Sequence, residues 1–235
     1  METEKKPDRK PKRLRRWLAG IGGVLLAAAA VIILIGYNPR DYAPIVPDNP
    51  HEVSPYLTHK LGPDFYNNVQ LDEPFELIVD QAGVNDIFSR CPWPMEAEGF
   101  SIYMPVVTFS PERTVLMAQV DYKGFSSVLS LVGQPSLDAE GKLNLNIQSV
   151  YLGALPITPL AERAAKIYVE KHFNPSDFDP GDPSAAAIQA MISNQPFDPI
   201  LFIADHTARI TGLKVEPAQA RLILTPVANP VGKGS

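Results

Sequence analysis

Between Trp17 and Tyr37 the chain runs WLAGIGGVLLAAAAVIILIGY, twenty-one consecutive residues without a charge. As a helix that run is about 30 Å long at ~1.5 Å per residue, the thickness of a bilayer's hydrocarbon core. Trp17 and Tyr37 stand at its two ends, where amphipathic rings favour the headgroup layer. Ahead of it, residues 1–16 hold eight Lys or Arg against three Asp or Glu. A positive flank stays in the cytoplasm. The segment therefore reads as an uncleaved signal anchor, with 1–16 a basic cytoplasmic tail and 17–37 a transmembrane helix. On that reading the protein is single-pass in a bacterial inner (cytoplasmic) membrane, and everything after Tyr37 is periplasmic or extracytoplasmic. A cleaved signal peptide is the rival reading. Ala27–Ala30 offers small residues for cleavage, yet the apolar run continues beyond them through Val31–Ile35.

The net charge of −5 over 235 residues conceals an acidic body, since the residues after Arg16 carry 13 Lys+Arg against 23 Asp+Glu. Phosphate backbones need a cationic surface, so nucleic acid is not the expected partner. Cys91 is the single cysteine. It excludes an internal disulfide framework and a cysteine-built zinc site, and reads as a small buried hydrophobe, with an intermolecular disulfide or a nucleophile as the alternatives.

Seven prolines fall between Pro39 and Pro74. They deny that stretch a regular helix or a central strand, so 38–74 reads as an extended proline-rich stalk, laid in part on the domain through Tyr56, Leu57 and Phe65. The domain proper spans 75–226, with 227–235 a flexible tail. It opens with a short strand at Phe75–Val79. Asp80 then caps a helix whose Val84, Ile87 and Phe88 share a face, and which Gly83 weakens. Period-two alternation follows through Phe100, Ile102, Met104 and Val106, then Leu116, Ala118 and Val120. After a bend at Gly124, Leu129 and Leu131 continue it, and Leu143, Leu145 and Ile147 alternate most cleanly of all. Thr158-Pro159 starts a helix to about Phe173 with Leu160, Ala164, Ile167 and Tyr168 as its apolar stripe. Asp182-Pro183 starts another, and three strands close the domain.

Catalytic chemistry is hard to find in this pattern. His51, His59, His172 and His206 are scattered, with no pair at i, i+4. Asp177, Asp179 and Asp182 suggest a calcium loop, but Gly181 stands where a ligand belongs and Ile188 where the closing glutamate would be. Asp205 and His206 are adjacent, and neighbours on a strand point to opposite faces. No nucleophile elbow or phosphate-binding glycine loop is present. The expectation is a protein that is not an enzyme and takes no metal and no cofactor.

The order of basic flank, apolar helix, proline-rich linker and the helix start Asp80-Gln-Ala-Gly-Val-Asn85 carries a resemblance. It continues in the run from Gly141 to Pro159, GKLNLNIQSVYLGALPITP. Over roughly residues 75–225 this chain resembles the YpmS-like family of membrane-anchored extracytoplasmic proteins, and more loosely the tubular lipid-binding (TULIP-type) domains. It departs from them in the acidic loop 174–183 and in Cys91-Pro-Trp-Pro94. The fold expected is α+β: a single N-terminal transmembrane helix, then a curved antiparallel β-sheet packed on amphipathic helices. The resemblance implies binding of membrane lipid or another apolar ligand in a groove between sheet and helix. Its candidate lining is Ile102, Met104, Leu116, Val120, Leu143, Leu145 and Ile147 from strands, with Val84, Ile87 and Phe88 from the helix. The same side chains serve equally as an ordinary core. The alternative function is an accessory or scaffolding subunit of a larger membrane protein complex. It would dock through the small residues Gly20, Gly22, Gly23 and Ala27–Ala30 of the apolar helix.

Overall fold

The computed structural model describes residues 11–97, 99–172, 183–203 and 206–227. The basic tail up to Lys10, the acidic loop with its calcium expectation and most of the C-terminal tail lie outside the described residues. In chain order the structure runs through helix α1 (Pro11–Ile35), a π-helical turn (Leu57–Leu61), α2 (Gly62–Val69), strand β1 (Phe75–Asp80) and α3 (Gln81–Ser89). A meander follows: β2 (Met95–Ala97), β3 (Phe100–Ile102), β4 (Val106–Ser110), β5 (Arg113–Tyr122) and β6 (Phe125–Gly133). Then come β7 (Ser136–Leu137), β8 (Leu143–Asn144), β9 (Ile147–Leu152) and β10 (Leu155–Pro156). The chain ends with α4 (Thr158–His172), α5 (Pro183–Ile192), β11 (Ile200–Ile203), β12 (His206–Glu216) and β13 (Gln219–Pro226).

All pairing is antiparallel. One sheet has the order β1-β13-β12-β11, a second has β10-β9-β6-β5-β3-β2 with β4 also on β5, and β7-β8 form a ribbon. The sheets meet at their turns, where Ala218 N–H donates to the Phe109 carbonyl and Glu112 N–H to the Val215 carbonyl.

The α+β expectation is corrected at this point. The body is mostly β-sheet, with few helices set around it. The single-pass inner-membrane reading is corrected with it, because among the described residues no helix is long and apolar enough to cross a membrane.

The segment 38–74, read as a stalk laid in part on the domain, is folded onto the body. Phe65 (0% exposed) and Val69 of α2 pack with Leu77, Ala208, Ile210 and Leu224 on the first sheet. The Phe65 and Phe75 rings meet edge to face at 5.9 Å. Further up, the Tyr42 hydroxyl donates to the Met104 carbonyl and accepts from Gln119 N–H, beside Val106, Met117 and Val128. Ser54 donates to Asp86, and Arg90 holds the Asn49 and Glu52 carbonyls. Prolines prevented a long helix here, but a short one needs only one compatible position. Pro63 supplies it in the first turn of α2, where its missing N–H costs nothing.

Two glycines make close approaches. Any Cβ on Gly83 would enter the Tyr56 ring, so the glycine that costs α3 propensity is what lets the 38–74 segment lie against it. Gly153, at φ +60°, faces the carbonyls of Leu34 and Ile35 at the end of α1. Those carbonyls accept from Ala154 N–H (2.7 Å) and Ser127 Oγ (2.6 Å). The domain thus satisfies two of the helix's terminal acceptors.

Candidate functional site

The meander gives β5 and β6 two faces of different fate. Met117 and Val128 point to the face that Tyr42 covers and are buried. The opposite face carries Leu116 and Leu131, which are directly paired across the two strands. Val107 on β4 is paired with Leu116, and Val150 on β9 with Leu131, so one apolar row crosses four strands.

Over this row lie α4 and α5, standing off. Between them and the sheet is a cavity of about 390 Å³, bounded by Leu116, Leu131, Leu145, Ile147 and Val150 below. Thr158, Ala161, Glu162 and Ala165 of α4 bound it above, with Met191 and Ile192 of α5 and Asn194 just beyond. A second cavity of about 270 Å³ continues it through the same Leu116, Leu131, Leu145 and Ile147, and ends at Phe88, Val107 and Pro135. Leu116 sits on a strand with neighbours on both sides, yet it is 37% exposed.

The groove is open because of what α4 turns toward it. The stripe expected to pack, Leu160, Ala164, Ile167 and Tyr168, faces outward, with Leu160 at 65% exposure. Small residues, Ala161 and Ala165, take the inward face. The N-terminus of the helix is fixed by Thr158, whose hydroxyl accepts from Val150 N–H, and by Ile157 N–H donating to the Val150 carbonyl. On the other side Asn194 Oδ1 accepts from Ile147 N–H at 2.9 Å while its Nδ2 donates to the Ile147 carbonyl. That amide ties the end of α5 to the strand, as another strand would.

Of the residues expected to line a groove, Leu116, Leu145, Ile147 and Phe88 are brought together here. Ile102 and Val120 are paired with each other on the same face, beyond the cavity toward the β5–β6 turn. Met104 lies in the β3–β4 link with its carbonyl held by Tyr42. Leu143 is paired with Leu137 and bridged to Phe197 on the small ribbon. Val84 is half-buried on α3. Ile87 opens on a different cleft, about 700 Å³, beside Val53, Leu57 and Trp93. Sequence reasoning missed Leu131 and Val150 as lining and the part of α5. The alternation of β6 and β9 contained the first two; nothing in the helical pattern pointed to small residues as the inward face.

The strongest shifts in acidity lie on other surfaces. Hydrogen bonds from Lys214, Arg221 and Gln219 lower the Glu216 carboxyl to about 2, and the Ser126 hydroxyl leads those that lower Asp121. Burial pushes the Tyr42 hydroxyl up. Cys91, read as buried, is exposed, its thiol 3.6 Å from the Ile87 carbonyl. Among the described residues no group of three or more His, Cys, Asp or Glu is placed to hold a metal ion. Compared with known proteins, the chain matches no family model, no curated protein and no solved structure.

Proposed function

We propose that the chain binds an elongated apolar ligand, such as an acyl chain, in the groove between β5, β6 and β9 and helices α4 and α5. The observation that carries this reading is the exposure of Leu116 in the middle of a sheet, under a helix that turns Ala161 and Ala165 toward the cavity and its apolar stripe away from it. Apolar area left in water costs roughly 25 cal/mol per Å², and a chain-shaped ligand would remove that cost along the whole row. The size supports it too, since small-molecule sites usually occupy ~300–1,000 Å³. The resemblance to tubular lipid-binding domains points the same way.

The test is native mass spectrometry of the full chain, followed by titration with a fluorescent long-chain fatty acid. The expected result is a stoichiometric apolar ligand, or saturable uptake of the probe, abolished by Leu145→Trp. A chain that arrives empty and takes up no probe overturns the reading.

A second reading has its own observation. Val24, Leu26 and Ile33 of α1 are 69–74% exposed on a helix whose end is fixed to the domain. This favours an accessory role in which α1 docks against another chain. Cross-linking at α1 should then capture a reproducible partner, lost in Gly23→Leu and Ala27→Leu; capture unchanged by both substitutions would count against that face.

A further inference from the structure

The groove is not uniform along its length. At the Phe88 end the side chains facing it are apolar apart from Thr114. In the middle, Thr158, Glu162 and Asn194 enter the wall. Past Glu162, Ala165, Ile192 and Asn194, which both spaces share, the groove opens into a third cavity of about 540 Å³ between α4 and α5. Its wall adds Lys166, Val169, Glu170, Ser193 and Gln195. Apolar end, mixed waist and charged mouth therefore follow one another in line.

We propose that the occupant is a single-chain amphiphile whose head carries an ammonium group, held at the α4–α5 mouth, with its chain directed toward Phe88. This rests on the apolar-ligand reading given above. The two apolar spaces, about 390 and 270 Å³, share Leu116, Leu131, Leu145 and Ile147 and so run on as one path, which a single chain would follow from end to end. The direction follows from the lining. At the Phe88 end a charged head would meet no charged side chain, whereas at the mouth it meets Glu162, Lys166 and Glu170.

The sign of the head follows from the row Glu162, Lys166, Glu170, spaced four residues apart along one face of α4. Lys166 has a carboxylate on either side, so among the described residues that line the mouth the negative charges exceed the positive by one. The Asn194 amide is already committed to Ile147. A bare anionic head meets the surplus charge of its own sign. An ammonium meets the opposite sign, and a phosphate carried with it has Lys166 as its partner.

The experiment is calorimetric titration of the full chain with three probes of one chain length, each below its micelle-forming concentration: dodecyltrimethylammonium, dodecyl phosphocholine and dodecyl sulfate. The two ammonium-bearing probes are expected to bind at least about threefold more tightly than the sulfate at low salt, a margin typical of exposed charge pairs. Added salt should narrow that margin, and the double variant Glu162→Gln/Glu170→Gln should erase it while dodecyl binding persists. Equal or tighter binding of dodecyl sulfate, still blocked by Leu131→Trp, overturns the ammonium-head assignment and leaves the groove standing. Binding that is absent for all three, or indifferent to Leu131→Trp, overturns the groove reading itself.

Discussion

Asn85 and Val107 exchange two hydrogen bonds: Asn85 Nδ2 donates to the Val107 carbonyl at 2.9 Å, and Val107 N–H donates to Asn85 Oδ1 at 2.7 Å. One helical turn earlier, Gln81 Oε1 accepts from Phe109 N–H. Two side chains of α3 thus occupy the edge of β4 that no strand covers, and hold Phe88 at the end of the groove. Asn85 is 8% exposed, so its removal strands a buried donor and acceptor. Asn85→Ala is expected to cost about 2–3 kcal/mol in urea unfolding. Asn85→Asp should cost at least as much, because it keeps the acceptor, loses the donor and buries a charge.

Phe65→Ala tests whether the proline-rich segment belongs to the folded unit. The ring is fully buried against the first sheet, so the expected loss is about 3–5 kcal/mol. Were 38–74 a tether, the same substitution would change stability by a few tenths. Thermal or urea denaturation separates the two.

Ala161→Leu distinguishes a groove from a core. In a close-packed interior the added atoms would be expected to cost ~1–3 kcal/mol. Here they enter open space above Leu116, so stability of the empty chain should stay level or rise by about 1 kcal/mol. Uptake of a fluorescent fatty acid should fall sharply in the same variant. Loss of stability with unchanged uptake would speak against the groove.

Acid should weaken the fold partly through Glu216. Its carboxylate accepts from Lys214 Nζ at 2.7 Å, Arg221 Nε at 2.9 Å and Gln219 Nε2 at 2.9 Å, and titrates at about 2 against an ordinary 4.5. Between those values the unfolded chain binds the proton that the folded chain refuses. The contribution of Glu216 is therefore complete above about pH 4.5 and is lost as the pH falls toward 2. Unfolding curves across that window should fall more steeply for the native chain than for Glu216→Gln, and the gap should shrink with salt.

The antiparallel meander was legible because alternation is a local signal: Leu116, Leu131 and Ile147 sit on the face their spacing implied. It was least legible where one residue breaks the rhythm. Leu143, Leu145 and Ile147 read as one strand, but Asn146 takes φ +47° and splits them between β8 and β9, which frees Leu145 for the groove. The bend read at Gly124 is a two-residue hairpin turn with Lys123 and Gly124 both at positive φ. Proline counting denied 38–74 a helix, yet α2 forms there and is buried because Phe65 and Val69 meet strands more than a hundred residues away. α4 misled for the opposite reason. Its amphipathic stripe is real, yet the contact that orients it is a hydroxyl, Thr158, and not the stripe.

The joint at Gly153 has a mechanical meaning. Because the carbonyls of Leu34 and Ile35 are gripped by Ala154 and Ser127, α1 is no slack leash. A pull along it would load the β9–β10 hairpin and the first residues of β6. Two residues beyond that hairpin, Ile157 and Thr158 hold α4 to Val150. Tension on the helix would thus reach the roof of the groove within a few bonds.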